Sequence, residues 1–401
     1  MNRSAFLKRL LLLGISGTSA SSLLASSEKT KENKSVEKVE EIGPFAFLTK
    51  PYLQFPLPDA MTVMWITTRN CYSWVEFGEN NVCSQRVTNA INGLNQAYNR
   101  VHKIRLNELK PGTQYAYKVY SKEITQFHAY DVSYGETLES PVYHFTTPST
   151  DADEVSLLIL NDIHDRPESI PYLLGLNKNE PYDFVCLNGD MVNHLDSESQ
   201  LITSVIQPCT ELFASEKPFI YARGNHDTRG SFARHLYEYI DTGENPYCSF
   251  SIGPAFFIVP DIGEDKADND KEYFGLASFD AYREKQTIWL EQQLKSKAAR
   301  KAKFRIVLIH IPPYHSDDFY GTVQCRKLFV PLFNKYKIDI VITAHTHEYG
   351  IFDPSTEHHF PMIIGGGPKN GTRTLIKLHV TQKNMDVTLI NDSGEIFSKH
   401  I

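Results

Sequence analysis

The sequence predicts a layered α/β domain preceded by an all-β sandwich, because the apolar rhythm changes along the chain. Residues 44–148 contain short period-two segments separated by turn residues, without a helix-length apolar stripe. Over residues 154–401, continuous apolar runs alternate with helix-length amphipathic stretches. Runs without alternation indicate strands that are buried on both faces, which is typical of a sheet covered by helices.

Three segments support the β sandwich. The stretch AMTVMWITT alternates, so that Val63 and Trp65 share one face of a strand and Met64 and Ile66 share the other. The stretch HKIRLNELKPGTQYAYKVYS contains two strands joined through a Pro-Gly turn, and PVYHFTTP closes the region. The polar segment PSTDADE, residues 148–154, is the predicted hinge to the next domain.

Six apolar runs are the predicted strands of the α/β domain: VSLLIL, YDFVCL, KPFIYA, FFIV, FRIVLI and IDIVIT. Helices are expected between them, over residues 197–216, 231–241, 279–303 and 322–336. The C-terminal stretch from residue 375 to residue 401 returns to a β pattern with turn signals at QKN and DSG.

The N-terminal residues predict export. Arg3, Lys8 and Arg9 precede a short apolar stretch and a run of small residues, so residues 1–27 are predicted to be a signal peptide. The apolar stretch is shorter than the roughly 20 residues that a membrane span needs, so no transmembrane segment is expected in the mature chain. A retained membrane-anchoring helix is the alternative. Residues 28–43 are predicted to be a charged, solvated linker, and the protein is expected in a bacterial-type periplasm or outside the cell.

The composition of the chain argues against one class of binding partner. The formal net charge of −7 and the lack of a long basic run beyond the N-terminus argue against sequence-independent nucleic-acid binding, so no nucleic-acid partner is expected. Six cysteines in an exported protein permit disulfides, but their spacing does not indicate a pairing. Cys186 lies inside an apolar run, which favours a buried free thiol. The oligomeric state is left open by the sequence.

Polar residues follow five of the apolar runs, at the strand ends where ligand sites of α/β sheets gather. The candidate metal ligands are Asp162, His164, Asp190, Asn225, His310, His345 and His347. Imidazole and oxygen ligands without thiolate suit Mn, Fe or Zn. Seven ligands exceed the need of one tetrahedral ion, and a shared carboxylate would let two ions lie about 3.5–4 Å apart. The sequence therefore predicts a site for two divalent metal ions.

These motifs, NDIHD, LNGD, RGNHD, the lone His310 and AHTH, resemble in order those of the calcineurin-like metallophosphoesterase superfamily. The N-terminal motifs PYLQF, MTVMWIT, VEFGE and LKPGTQYAYKVY resemble the fibronectin-III-like domain that precedes the catalytic domain in purple acid phosphatases. The resemblance implies a four-layer α/β/β/α metallophosphoesterase sandwich over residues 154–401. It also implies a preceding all-β fibronectin-III-like sandwich domain over residues 44–148.

The resemblance also implies roles for single residues. One metal would be held by Asp162, His164 and His347, and the second by Asn225, His310 and His345, with Asp190 bridging. His226 would act beside the leaving-group oxygen, and Asn225 and His226 would contact the substrate. Asp227 is a candidate catalytic residue that either holds a ring nitrogen of His226 or caps the following turn. His315 either contacts the phosphate or faces solvent from its loop.

Three positions depart from the purple acid phosphatase pattern. His164 stands where that family usually has Gly, Asn193 where it has the Tyr that gives the ferric colour, and Ala344 where it has Gly. A purple ferric enzyme is therefore not expected. Three further features have interpretations that need no direct role in catalysis. Asn193 and His194 either support the ligands or are structural. Residues 358–359 are expected to be a surface His pair unless their loop folds back over the metals, and the triple glycine 365–367 is expected to be a tight turn.

The predicted function is an exported binuclear metal-dependent phosphoesterase. Two cations would clamp a phosphate ester, and a water between them, with its pKa lowered toward about 7, would attack as metal-bound hydroxide. His226 would protonate the leaving alkoxide or stabilise the phosphorane-like state. Phosphomonoesters and phosphodiesters both remain open as substrates. The alternative is a non-catalytic surface adhesion or glycan-binding protein with a metal-stabilised scaffold.

Overall fold

The protein is described here by a computed structural model, which covers residues 43–149 and 151–401. The predicted signal peptide, residues 1–27, lies outside the described residues, as does the predicted linker except for Gly43. No helix in the described part of the chain is both long and apolar enough to cross a membrane.

Strands are numbered in chain order. Their bounds are β1 Tyr52–Leu57, β2 Ala60–Gly78, β3 Gln85–Val87, β4 Ala90–Ile91, β5 Leu94–Asn95, β6 Ala97–Leu106, β7 Gln114–His128, β8 Asp131–Glu139, β9 Tyr143–Thr146, β10 Glu154–Leu160, β11 Phe184–Asn188, β12 Phe219–Ala222, β13 Cys248–Ile252, β14 Ala255–Val259, β15 Phe304–Leu308, β16 Ile340–Thr343, β17 Gly350–Phe352, β18 Met362–Ile364, β19 Thr374–Thr381, β20 Met385–Asn391 and β21 Ile396–His400.

The helices are short. Their bounds are α1 Ser169–Gly175, α2 Glu198–Leu201, α3 Gln207–Leu212, α4 Leu236–Tyr239, α5 Phe279–Leu294, α6 Lys297–Lys301, α7 Tyr320–Leu328 and α8 Val330–Lys335. A π-helical turn, Ile202–Ile206, joins α2 to α3, and 3₁₀ turns occupy His226–Thr228, Ala233–His235 and Lys271–Tyr273.

The N-terminal region is all β, as predicted, since residues 43–149 contain no helix. Its long strand β2 pairs with β6 along its first half and with β7 along its second half, with a register shift after Ile66. The two faces of β2 enter different cores. Val63 and Trp65 pack inside the β domain, whereas Met64 and Ile66 pack against the α/β domain. The alternation predicted for this strand therefore separates two buried faces.

The α/β domain has the predicted four layers. In the first sheet, β10, β11 and β12 run parallel, with β19 antiparallel to β10. The second sheet has the order β13-β14-β15-β16-β18-β17. One apolar core, including Ile159, Phe184, Phe257 and Ile306, lies between the two sheets. Two further cores lie under the helices, one against α1 to α3 and one against α5 to α8.

The predicted helices are interrupted more often than the pattern suggested. The stretch 197–216 is divided by the π turn, and Pro208 stands at the start of α3. The stretch 322–336 is divided at Phe329, and Pro331 stands at the start of α8. Proline lacks an N–H and fits best in the first turn of a helix, so Pro331 begins a new helix after the turn at Phe329. Pro208 instead follows the π turn inside one continuous helical run.

The two regions share one sheet. Strand β1 pairs in parallel with β12 through Gln54 and Phe219, so the first sheet continues from the α/β domain into the β domain. Polar contacts reinforce this continuity, because the Tyr117 hydroxyl donates to the Ser215 carbonyl at 2.6 Å. All six cysteines lie in the described part of the chain and are free thiols, and Cys186 is buried as expected.

Candidate binuclear metal centre

The residues predicted from the strand ends converge on one rim. Loops after β10, β11, β12, β15 and β16 supply all seven candidate ligands. A cavity of about 720 Å³ opens over them, and Asp190, Asn225, His226, His345 and His347 line it. Asp162 and His310 lie deeper, with relative exposures of 0% and 1%. The cavity therefore reaches a buried polar cluster from its open side.

The first cluster contains Asp162, His164 and His347. The Nε2 atoms of the two histidines lie 3.1 Å apart. The nearest carboxylate oxygen, Oδ1 of Asp162, is 3.6 Å from the first ring and 3.4 Å from the second. The ligand atoms of all three residues lie within 4.8 Å of one another, a spacing that a single cation can span.

The second cluster contains Asn225, His310 and His345, with Asp190 beside them. His310 Nε2 lies 3.1 Å from Asp190 Oδ2, and His345 Nδ1 lies 2.9 Å from Asn225 Oδ1. The same Asp190 oxygen is 3.6 Å from His164 Nε2 in the first cluster. Asp190 thus stands between the two clusters, where a shared carboxylate must stand.

The donor atoms fit two cations. Within the described residues, Asp162 Oδ1, Asp190 Oδ2 and His310 Nε2 are buried without a hydrogen-bond partner. The His310 Nδ1–H donates to the Asn188 carbonyl at 2.8 Å, so Nε2 is the ring nitrogen that faces a carboxylate oxygen of Asp190. Buried acceptors that face each other need a positive charge between them. Imidazole nitrogen and carboxylate oxygen suit the Mn, Fe or Zn expected from the sequence.

The pKa shifts in the cluster show the same need for positive charge. Burial lowers the pKa of His310, but the carboxylates of Asp190 and Asp162 and the Asn188 carbonyl together outweigh burial and raise that pKa to about 10. Burial raises the pKa of Asp190, but His310 outweighs burial and lowers it to about 2. Burial likewise raises the pKa of Asp162, yet the neighbouring imidazoles of His164, His347 and His310 together hold it well below its usual range. In the metal-free protein, protons on imidazoles therefore balance the carboxylates.

The backbone at the ligands is unusual. Five of the seven candidate ligands have positive φ angles in the left-handed region, which few residues other than glycine adopt. They are Asp162 at 49°, His164 at 50°, Asp190 at 53°, His345 at 75° and His347 at 62°. Such conformations cluster at functional sites because the surrounding structure must hold them.

Two glycines allow the loops to approach closely. A Cβ on Gly224 would lie 2.2 Å from Asp190 Oδ1, and a Cβ on Gly189 would lie 2.4 Å from His310 Nδ1. Real Cβ atoms do not approach other atoms so closely, so any side chain here would displace a candidate ligand. The LNGD and RGNHD motifs therefore need their glycines for space beside the ligands.

Asp227 holds the backbone of the site and does not contact the ring of His226. Its Oδ2 accepts hydrogen bonds from the backbone N–H groups of Asp190 at 3.0 Å and Gly224 at 2.9 Å. Its Oδ1 accepts from the N–H of Met191 at 3.1 Å. Burial, together with the charge of Asp190, raises the pKa of Asp227 to about 7. The sequence left two roles open for Asp227, holding a ring nitrogen of His226 or capping the following turn. The structure does not contain the first, because His226 Nδ1 is bound to the Asn193 carbonyl.

Asn193 orients two histidines. Its side-chain oxygen accepts a hydrogen bond from His164 Nδ1 at 3.1 Å, and its main-chain carbonyl accepts one from His226 Nδ1 at 2.6 Å. Both rings therefore keep Nε2 free to face other groups. His194 instead lies at the surface, 3.1 Å from Asp196.

Arg229 is a neighbour of the site that the sequence did not reveal. Its Nη1 donates to His226 Nε2 at 3.1 Å, and two of its other nitrogens bond to Glu264. Burial, together with the charge of Arg229, lowers the pKa of His226. The segment containing Glu264 lies far along the chain from Arg229, so no local pattern could connect them.

His315 lies at the rim of the site cavity. Its ring stacks on Phe352 with centroids 3.9 Å apart, and its Nε2 lies 3.1 Å from the Nε2 of His358. The expectation of a surface pair at residues 358–359 is wrong for His358, which is buried and whose Nδ1 donates to the Phe360 carbonyl. The triple glycine is linked to the first cluster through Asn161. The side-chain amide of Asn161 donates hydrogen bonds of 2.7 Å to the Asp162 carboxylate and to the Gly366 carbonyl.

Comparison with known proteins gives consistent matches. Residues 155–349 match the calcineurin-like phosphoesterase family, and residues 49–147 match the N-terminal domain of purple acid phosphatases. Acid phosphatase type 7 of Mus musculus is 26% identical over 318 residues, which cover 73% of this chain and 67% of that protein. Probable purple acid phosphatase 20 of Arabidopsis thaliana is 21% identical over 399 residues, covering 91% and 83%. The structure of purple acid phosphatase PPD1 from yellow lupin, Lupinus luteus, superposes with a TM-score of 0.65 at 17% identity, covering 88% of this chain and 73% of that one.

Proposed function

Because the chain belongs to the calcineurin-like metallophosphoesterase superfamily and carries the N-terminal domain of purple acid phosphatases, we propose that it is a binuclear metal-dependent phosphatase of phosphate monoesters. The observation that carries the proposal is Asp190, which stands between two clusters of buried imidazole and oxygen donors. The relatives named acid phosphatase favour monoesters over diesters. A non-catalytic adhesion or glycan-binding protein would not need an intact set of metal ligands. All seven candidate ligands are present, which argues against that alternative.

Asp162, His164 and His347 would hold one divalent cation. Asn225, His310 and His345 would hold the other, with Asp190 shared. When bound, the cations neutralise charge on the phosphoryl oxygens and make water a stronger nucleophile. The identity of the metals, Mn, Fe or Zn, belongs to the proposal.

The chain's own residues manage the leaving group. Hydrolysis breaks the ester P–O bond, and the electron pair remains on the leaving oxygen, which must gain a proton to become the alcohol. His226 lines the cavity, and its Nδ1–H is bound to the Asn193 carbonyl, so Nε2 is the ring atom that can deliver a proton once the ring is protonated there and Nε2 no longer accepts from Arg229. Asn225 and His315, which line the same cavity, are proposed to contact the phosphate group.

Asp227 is proposed to be a positioning residue. Its carboxylate bonds to backbone N–H groups of the Asp190 loop and of the Gly224 turn. One side chain thereby fixes the loop of the shared ligand and the turn of Asn225 relative to each other. Export to a periplasm or to the medium is proposed from residues 1–27, and fractionation of expressing cells tests it.

The function is tested by hydrolysis of p-nitrophenyl phosphate and bis-p-nitrophenyl phosphate after loading with Mn, Zn or Fe. The monoester is expected to be the better substrate. Asp190→Ala and His226→Ala are expected to lower kcat/KM by at least about 100-fold. Asp131→Ala and His128→Ala, at exposed positions of the β domain, are the matched controls and retain activity. A metal-loaded wild type that hydrolyses neither ester would overturn the proposal, and full activity of Asp190→Ala would overturn the shared-ligand assignment.

A further inference from the structure

Arg229 lies beside His226 and has no part in the chemistry assigned so far. It follows the 3₁₀ turn His226–Thr228, and its Nη1 reaches back to lie 3.1 Å from the Nε2 of His226. The other ring nitrogen of His226 is bound to the Asn193 carbonyl. The guanidinium therefore contacts the one ring atom that is available to a substrate.

The guanidinium of Arg229 is held rigidly. Its Nε and Nη2 donate to the two carboxylate oxygens of Glu264, each at 2.9 Å, and Nη2 also donates to Asp265 Oδ1 at 3.1 Å. Glu264 is 2% exposed, and the fully buried Arg283 donates to its main-chain carbonyl at 2.5 Å. A two-pronged contact with a fixed carboxylate removes most of the freedom of an arginine side chain.

Nη1 is the free end of this arrangement. In its contacts with the described residues, Nε and Nη2 are satisfied by carboxylates, whereas Nη1 contacts only His226. Nη1 and the Nε2 of His226 are separated by the length of one hydrogen bond. An oxygen atom that binds one of these nitrogens is therefore within reach of the other.

Arg229 also marks the boundary between two cavities. His226 and Asp265 line the site cavity, while Arg229 and Glu264 line a neighbouring cavity of about 550 Å³. Tyr273, Leu276 and Phe279 give the neighbouring cavity an apolar wall. A leaving group that extends beyond His226 would pass over Arg229 into this space.

We propose that Arg229 is a further catalytic residue, whose Nη1 donates a hydrogen bond to the leaving oxygen beside His226. The inference rests on the proposed function. When the His226 ring carries a proton on Nε2 as well, Nε2 no longer accepts from Arg229 Nη1. As the ester P–O bond breaks, the electron pair stays on the leaving oxygen, the Nε2 proton passes to that oxygen, and Nη1 donates a hydrogen bond to it while keeping its own proton. Alkyl esters place more charge on this oxygen than p-nitrophenyl esters do. Alkyl phosphates are therefore the substrate class that depends most on Arg229.

The experiment compares Arg229→Gln and Arg229→Lys with the wild type on ethyl phosphate and p-nitrophenyl phosphate. Arg229→Gln is expected to lower kcat/KM about 100-fold on ethyl phosphate and less than about tenfold on p-nitrophenyl phosphate. Arg229→Lys keeps the charge but loses the planar fork, so an intermediate loss is expected. Arg300→Gln is the matched control, because Arg300 is exposed on α6, lines neither cavity and has no ion pair within the described residues.

Two further readouts distinguish a catalytic from a structural effect. The losses in Arg229→Gln and His226→Ala are expected to be non-additive in the double variant, because both groups act on one oxygen. Metal content and Tm of each variant are measured alongside, and Arg229→Lys carries the test if Arg229→Gln does not fold. Equal losses on the two esters, or additive losses, would overturn the inference. A wild type that hydrolyses neither ester would instead overturn the proposed function.

Discussion

Metal binding is expected to release protons. The charge of Asp190 raises the pKa of His310 to about 10, so His310 is protonated in the metal-free protein at pH 7. The residue can bind a cation through Nε2 only after that proton has left. The neighbouring carboxylates of Asp162 and Asp190 also raise the pKa of His164 despite its burial. His345, with a pKa lowered to about 4 by burial and by His310, is already neutral.

The structure gives the size and the sign of this effect. His310 contributes one proton, so loading at pH 7 releases about one proton per chain from this residue. Apparent metal affinity then rises with pH, because protons compete with cations at the same nitrogen. Each released proton makes the affinity rise about tenfold per pH unit, or about 1.4 kcal/mol, until the pH passes the pKa of His310.

Calorimetric titration of the chelator-treated protein with Mn²⁺ or Zn²⁺ measures the release, when it is performed in two buffers of different ionisation enthalpy. The difference in apparent enthalpy between the buffers gives the number of protons. In His310→Gln the release is expected to fall by about one proton, whereas His128→Gln, at an exposed position, leaves it unchanged. Binding of both cations without proton release, at an affinity independent of pH, would refute the charge balance derived for His310 and Asp190.

Three substitutions test the supports of the site and of the domain contact. Gly224→Ala places a Cβ 2.2 Å from Asp190 Oδ1, so metal content after dialysis is expected to fall, with affinity reduced at least about tenfold. Asp227→Asn replaces an acceptor of backbone N–H groups with an amide, and urea unfolding is expected to show a loss of about 1.5–3 kcal/mol. Thr62→Val removes the 2.5 Å hydrogen bond to Asp241 across the domain contact. It is expected to cost about 1–2 kcal/mol in urea unfolding and to leave kcat/KM unchanged.

The layered architecture was predictable because burial leaves a direct mark on the residues of a strand. The run in β11 is buried at every position, and continuous apolar sequence is what such a strand requires. The pairing of β1 with β12 left no such mark. Gln54 and Phe219 are far apart in the chain, and nothing in PYLQF distinguishes a strand that completes a sandwich from one that extends a neighbouring sheet.

The ligands were predictable for a related reason, since residue type and position at strand ends both indicate metal chemistry. The groups that orient them were harder to find. Asn193 acts on His226 through a main-chain carbonyl, which every residue has, so residue type carries no signal. Arg229 depends on Glu264, whose carboxylate resembles any other acidic residue in a charged segment. The burial of His358 follows from packing against Phe360, which also gives no local pattern.

The left-handed backbone at five candidate ligands accounts for two features of the site. These features are its Asp and His residues and the buried groups that hold its loops. Most side chains resist positive φ, but Asp and His adopt it more readily, and all five residues are Asp or His. A strained conformation of this kind costs on the order of 1–3 kcal/mol, so five of them would be a large share of the stability of an ordinary domain. Backbone hydrogen bonds, such as His164 N–H to the Asp190 carbonyl at 3.0 Å, and the carboxylate of Asp227 offset that cost without a cation. The candidate ligand loops are therefore held in place by the protein, and cations would bind to a site whose shape already exists.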